Sequence, residues 1–255
     1  MAVIIGGHHR SGTTLLLRLC NSHPDIRITP EFRNFYNLDV SYSRHVRGLR
    51  KNWYRSALVP RNVPHSRVRG LLFLIRYLIE LLPHRSTLIG AREVEAALRR
   101  IFPRVTLVGD KYPEHVFRLD RLSRVPGLFR VIIYRDCRDV ARSAVDLSRT
   151  RWRGTSLALH MGTVEKVAKR WVHAIEMMER HADRVHVIRY EDLVADPRPV
   201  LEALGARLGV DPQGFRRQIV HSRSVGKYRQ GLSTQELRDI ITIAGPTMER
   251  YGYRM

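Results

Sequence analysis

At 255 residues the chain exceeds the ~100–200 residues of an ordinary domain, yet it fits one large α/β domain. Hydrophobic residues at 44% and charged residues at 27% allow an ordinary core and exclude wholesale disorder. Lys and Arg number 45 against 24 Asp and Glu, a net charge of +21, and only five of the basic residues are lysines. Such a field attracts nucleic acid, an anionic membrane or an acidic small molecule, but an arginine-biased composition produces the same number, so charge alone decides nothing.

In chain order, Ala2–Ile5 is a short apolar run closed by Gly6-Gly7, and Thr13–Asn21 reads as a helix, which makes strand, glycine turn and helix at the start. Ile26–Thr29 is a second short strand closed by Pro30. Val68–Leu82 and Ala91–Phe102 read as helices. The first of these carries the longest apolar stretch, Leu71–Leu82, which contains Arg76 and Glu80 and is shorter than the ~20 residues that cross a bilayer. Thr106–Gly109, Arg130–Tyr134 and Val185–Arg189 are β-rich runs, each followed by a helical pattern at Glu114–Ser123, Asp136–Ser148 and Pro197–Leu208. Strands alternating with helices predict a three-layer α/β/α fold around a parallel sheet of about five strands. The chain reads as a single domain over 1–255, with insertions at about 32–90 and 149–182 around a site. Cys20 and Cys137 make no disulfide framework or metal finger, and no secretory pattern opens the chain, so a cytoplasmic protein is expected.

The loop Gly7-His8-His9-Arg10-Ser11-Gly12-Thr13-Thr14 joins the first strand to the first helix. Its glycines have the spacing of the Walker loop, G-x-x-x-x-G-K-[ST], but Thr13 stands in the lysine position. The backbone N–H groups of Gly12, Thr13 and Thr14 would face an anion at the helix N-terminus, with Arg10 the one cation of the turn. The motif His9-Arg10-Ser11-Gly12-Thr13-Thr14-Leu15-Leu16, continued by Asn21-Ser22-His23-Pro24-Asp25-Ile26, resembles the 5′-phosphosulfate loop of sulfotransferases that use 3′-phosphoadenosine 5′-phosphosulfate (PAPS).

Three more segments carry the same resemblance in order. Tyr134-Arg135-Asp136-Cys137-Arg138-Asp139-Val140-Ala141-Arg142-Ser143 is similar to the 3′-phosphate segment R-D-P-R-D-V-x-x-S, with Cys137 in place of proline. Arg135 and Ser143 would hold the phosphate, since a guanidinium fork and a hydroxyl suit a dianion. Arg138 is expected to brace the turn through nearby carboxylates, and Arg142 to lie on a solvated helix face. Arg189-Tyr190-Glu191-Asp192-Leu193 resembles a late R-Y-E-D-L stretch that implies Tyr190 near the adenine. Ser224-Val225-Gly226-Lys227-Tyr228-Arg229 resembles S-V-G-x-W-R, an element that closes over the nucleotide; Ser224 and either Lys227 or Arg229 would contact it.

The resemblance implies a PAPS-dependent sulfotransferase, closest in motif to the bacterial, carbohydrate and tyrosyl-protein types. It would move a sulfuryl group to a hydroxyl or amine of a small molecule, lipid or glycan, release 3′,5′-adenosine bisphosphate (PAP), and require no metal. Glu31 stands where related glycan, trehalose and tyrosyl-protein enzymes carry a catalytic glutamate, and is the candidate base. Its bland alternative is a surface pair with Arg33. His8 and His9 are the next base candidates. Gly109-Asp110-Lys111-Tyr112-Pro113 resembles the G-[DE]-K-x-P turn, placing Lys111 with Arg10 at the transferring group, and Glu114 and His115 follow as candidate substrate contacts. Tyr36, Trp53, Tyr54, Trp152 and Trp171 are candidates for walls of the acceptor pocket. Two other readings compete: a P-loop kinase of small molecules, which Thr13 and the Arg135/Ser143 pair disfavour, and a non-catalytic protein that binds an anion, glycan or nucleic acid. The chain has no recognised nucleic-acid module, so no specific nucleic-acid partner is expected.

Overall fold

The computed structural model describes residues 1–49, 66–222 and 224–254. Five strands, β1 (Ala2–Gly6), β2 (Ile26–Pro30), β5 (Leu107–Lys111), β6 (Leu128–Tyr134) and β7 (His186–Arg189), form one sheet in the order β2-β5-β1-β6-β7. All four pairings are parallel. The central strand β1 is buried along its whole length, as a parallel strand covered on both faces requires. A separate antiparallel pair, β3 (Val40–Ser41) and β4 (Leu88–Ile89), lies in the 32–90 segment.

Side chains of successive strand residues point to opposite faces, and the core divides accordingly. Val3, Ile5, Val131 and Ile133 pack with α1 (Thr13–Ser22), α9 (Tyr190–Ala195) and α10 (Pro197–Leu208). On the opposite face, Ala2, Ile4 and Val108 meet α3 (Ser66–Leu81) and α4 (Ala91–Ile101). Ile132, on that same face, meets α6 (Cys137–Arg149), α8 (Val164–Arg180) and α11 (Thr234–Arg250). The result is the α/β/α sandwich with a five-stranded parallel sheet that the sequence predicts. Two short helices, α2 (Tyr42–Gly48) and α7 (Ser156–Met161), complete the larger elements with α5 (Leu119–Leu122). Among the described residues no helix is long and apolar enough to cross a membrane.

Two stretches differ from their expected form. Glu114–Ser123 is not a continuous α-helix: a 3₁₀ segment spans Pro113–Arg118 and only Leu119–Leu122 is α-helical. The Pro113 carbonyl accepts from Gly7 N–H, and the His115 ring turns inward to Asp110, so this stretch serves the loop beside it. Within 149–182, α8 is a core helix. Its Val164, Val167, Ala168, Trp171, Ala174, Ile175 and Met178 are buried at helical spacing.

Candidate functional site

The strands β2, β5, β1, β6 and β7 end side by side, where Pro30 pairs with Lys111, Lys111 with Ile5, Gly6 with Ile132 and Tyr134 with Arg189. The residues that follow these ends therefore line up along one carboxyl edge. This is the edge of an open parallel sheet where ligands bind.

From β1 the chain enters the 7–12 loop. Gly7 (φ 146°) and Gly12 (φ 99°) hold backbone conformations that disfavour side chains; a Cβ on Gly7 would overlap the Ile133 carbonyl, and one on Gly12 the Tyr190 ring. Arg10 also adopts a left-handed conformation, φ 73°, and is exposed. Helix α1 starts at Thr13 with Gly12 as its N-cap, and no side chain caps it. Its first-turn amides are thus left for an external acceptor, the arrangement that favours an anion. Thr13 is buried and Thr14 is exposed. Ser11 and His8 are buried beneath the loop. Ser11 Oγ and His8 Nε2 have no hydrogen-bond partner among the described residues, and both residues border a small cavity walled by Val116, Ile132, Tyr134 and Trp171. Burial, reinforced by neighbouring His9, pushes the His8 imidazole down to about 3, so it is neutral near pH 7.

The downstream segment faces this loop. Arg10 Nε–H donates to Ser143 Oγ at 2.9 Å across 133 residues of sequence. Arg135, 7% exposed at the end of β6, donates to the Arg10 carbonyl and to the Ser224 carbonyl, and its guanidinium lies 4.6 Å from the Tyr190 ring centre. Asp139 organises the rest: its carboxylate is 3.1 Å from Arg135 and accepts from Gly226 N–H at 2.8 Å and Tyr228 N–H at 3.0 Å. Arg138 pairs with Asp136 at 2.7 Å and lies over the Tyr228 ring, bracing the turn as expected. Arg142 pairs with Asp146. Arg10, Ser11, Gly12, Arg135, Ser143, Tyr190 and Ser224 are therefore in one neighbourhood. Lys227 is exposed, and among the described residues its side chain has no hydrogen bond or ion pair; Arg229 folds back over Tyr228.

On the β2–β5 side, Lys111 Nζ–H donates to Glu31 Oε1 at 2.8 Å, with Lys111 3% and Glu31 25% exposed. Arg33 donates from its side chain to the Tyr112 hydroxyl. Glu31 (φ 55°) and Arg33 (φ 67°) are both left-handed, and Asp110 holds this turn: its buried carboxylate accepts from Phe32 N–H at 3.2 Å, Arg33 N–H at 3.0 Å and Thr29 Oγ–H at 3.0 Å. His9, by contrast, lies 2.9 Å from Glu114, which also accepts from Arg170. Burial would raise the Glu114 carboxyl, but His9 and Arg170 hold it down to about 2. Of the wall candidates, Trp152 meets His9 edge-on, and Tyr36 packs edge-on against Tyr112 and accepts from Arg118. Trp171 is fully buried, its indole N–H donating to the Arg135 carbonyl, so it belongs to the core; Trp53 and Tyr54 lie outside the described residues.

A family model described as "Sulfotransferase family" matches residues 2–213. The chain belongs to the sulfotransferase family. No curated protein matches it. Solved structures similar to it include the sulfotransferase domain of the Synechococcus PCC 7002 olefin synthase, 21% identical with a TM-score of 0.58, covering 100% of this chain and 95% of that one. The sulfotransferase domain from the curacin biosynthetic pathway is 18% identical, TM-score 0.60, over 100% of this chain and 98% of that one. Mouse sulfotransferase SULT7A1, solved as a complex with PAP, is 14% identical, TM-score 0.51, over 97% of this chain and 84% of that one. These likenesses concern the fold.

In this sulfotransferase, Asp110 and Asp139 are the site-building residues that motif reading passes over. Each lies inside a quoted motif, which was the available signal. Each also acts on backbone N–H groups far along the chain, which a motif cannot display. Among the described residues no group of three or more His, Cys, Asp and Glu side chains could hold a metal ion.

Proposed function

We propose that this sulfotransferase transfers the sulfuryl group of PAPS to a hydroxyl or amine of a small-molecule, lipid or glycan acceptor and releases PAP. The observation that carries the reading is the 2.9 Å hydrogen bond from Arg10 to Ser143, which brings the opening loop and the Arg135–Ser143 segment together, as a single doubly anchored nucleotide would require. No carboxylate among the described residues pairs with Arg10, so its charge is available to a ligand. Tyr190 follows the outer strand β7 and its ring lies against Gly12, whereas Glu31 follows the opposite outer strand β2. This order suits an extended nucleotide, with its adenine toward Tyr190 and its sulfuryl end toward Lys111 and Glu31.

In this reading Ser11, Gly12, Thr13 and Thr14 hold the 5′ end, and Arg135, Ser143 and Ser224 the 3′-phosphate, with Lys227 exposed on the closing segment. Glu31 takes the acceptor proton as the acceptor O–S (or N–S) bond forms and the donor's sulfuryl–phosphate bond breaks. Arg10 and Lys111 stabilise the charge that builds on the leaving phosphate. A sulfuryl group carries less charge than a terminal phosphoryl, so the reading needs no metal. The same reading takes the chain as a single sulfotransferase domain over 1–255, of which the family match covers residues 2–213. The proposed setting is cytoplasmic.

Thermal shift tests the donor assignment. PAP without metal should raise the melting temperature, by an amount equivalent to about 2.7 kcal/mol at a hundredfold excess over Kd. A response to ATP with Mg²⁺ alone would assign a kinase, and a response to neither nucleotide would leave a binding protein. Labelled PAPS with an acceptor panel then identifies the acceptor class.

A further inference from the structure

Helix α3 is apolar nearly all round, yet among the described residues only one of its faces is covered by protein. Tyr77 and Leu81 are buried in the core and Phe73 and Leu74 pack against it, with Phe73 and Tyr77 both edge-on to Phe32. On the other side Leu71, Leu72, Ile75 and Ile79, with Leu82 in the 3₁₀ turn that follows, are exposed, at 55%, 59%, 45%, 56% and 45%. At 3.6 residues per turn these five positions fall within an arc of about 100°, a continuous stripe three turns long. Exposed stripes of that size mark an interaction surface.

The edge of the stripe is basic. Arg76 is exposed and donates to the Arg100 carbonyl, Arg100 is itself 57% exposed, and Arg85 is exposed just beyond the helix. Glu80, the one acid of the helix, is paired with Arg100. A second copy of the chain is a poor occupant: a symmetric contact through the stripe would bring these arginines against their counterparts on molecules that each carry +21. An anionic lipid surface meets both requirements, taking the leucines and isoleucines at the level of the acyl chains and the arginines among the headgroups.

We propose that α3 is a surface-seeking helix that seats the protein on anionic bilayers through Leu71, Leu72, Ile75, Ile79 and Leu82, with Arg76, Arg85 and Arg100 at headgroup level. The helix lies on the membrane and does not span it: at 16 residues, with Arg76 and Glu80 within it, it falls short of the ~20 apolar residues a span takes. Its covered face packs on Phe32, next in sequence to Glu31, so seating the outer face holds the candidate acceptor side close to the lipid.

Vesicle co-sedimentation tests this. The protein should bind phosphatidylglycerol/phosphatidylcholine vesicles, bind phosphatidylcholine alone much more weakly, and release as salt rises. The triple variant Leu72→Ser, Ile75→Ser, Ile79→Ser should lose about a hundredfold in partitioning onto the mixed vesicles. Circular dichroism should show it folded, since all three side chains are exposed. As a second readout that keeps the surface apolar, Leu72→Trp should show a blue-shifted emission on mixed vesicles that brominated acyl chains quench. No binding by the parent protein, undiminished binding by the triple variant, or an unshifted Trp emission would each overturn the proposal. So would a parent dimer in sedimentation that the triple variant dissolves, which would assign the stripe to a second copy.

Discussion

Lys111 Nζ lies 2.8 Å from Glu31 Oε1, and the two residues come from adjacent strand ends separated by 80 positions of sequence. The pair fixes where both side chains stand, side by side at the carboxyl edge; in the proposed mechanism the carboxylate takes the acceptor proton and the ammonium meets the leaving group. Their backbones are tied as well, since Glu31 N–H donates to the Lys111 carbonyl.

Glu31→Gln keeps the size of the side chain and its contact with Lys111 but removes the proton acceptor. We expect kcat to fall by about 10²–10⁴, the usual contribution of a general base, with PAP affinity unchanged. Steady-state turnover set beside a PAP thermal shift makes the comparison; near-normal turnover would remove Glu31 from the mechanism.

Asp139→Asn tests the closing segment. The carboxylate accepts from Gly226 and Tyr228 and faces Arg135, and an amide cannot satisfy all three donors. Loosening the Ser224–Tyr228 turn should weaken PAP binding by roughly tenfold to a hundredfold, the equivalent of one or two charge-assisted hydrogen bonds. Calorimetric titration reads this directly, and unchanged affinity would show that the segment does not contribute to the nucleotide site.

Gly12→Ala forces a side chain onto a residue at φ 99° and into the Tyr190 ring. Backbone strain of this kind costs about 1–3 kcal/mol, and the displaced ring and loop should abolish the PAP response. Urea unfolding and thermal shift report the two effects separately. A variant that still responds to PAP would mean that the loop tolerates a wider path than the one described.

His8 gives the fold an acid sensitivity. Its folded value is about 3 against 6.5 in the unfolded chain, so between these limits the unfolded chain binds a proton that the native state refuses. Stability therefore falls as pH drops below about 6.5 and keeps falling to about 3, at up to ~1.4 kcal/mol per pH unit. Urea midpoints at about pH 7 and about pH 4.5 should show a loss larger by about 2–3 kcal/mol in the parent than in His8→Gln. Parallel profiles would mean that His8 is not buried neutral.

What the sequence discloses about this fold follows from distance along the chain. The opening loop is legible because its strand, glycines and helix are contiguous, and Arg135 with Ser143 because only eight residues separate them, Arg135 just before α6 and Ser143 about two turns into it. Helix α8 is harder to place: its buried positions have a helical period, but the β6-to-β7 crossover spends α6, α7 and α8 in succession and so departs from simple strand–helix alternation. Asp110 and Asp139 are named in motifs, yet their roles depend on backbone N–H groups 77 to 89 residues away, which only the folded chain brings near. The 3₁₀ form of Pro113–Arg118 is hidden for the same reason, because it follows from a carbonyl given to Gly7.

The strand order β2-β5-β1-β6-β7 has an evolutionary corollary. Arg135, Ser143 and Tyr190 hang from the β6 and β7 ends, whereas Glu31, Lys111 and the 32–90 segment belong to β2, β5 and the chain between them. Under the proposed function, the β2–β5 half holds the acceptor and the β6–β7 half the donor, so substitutions in the first half would retune which molecule receives the group while the second goes on gripping the same donor.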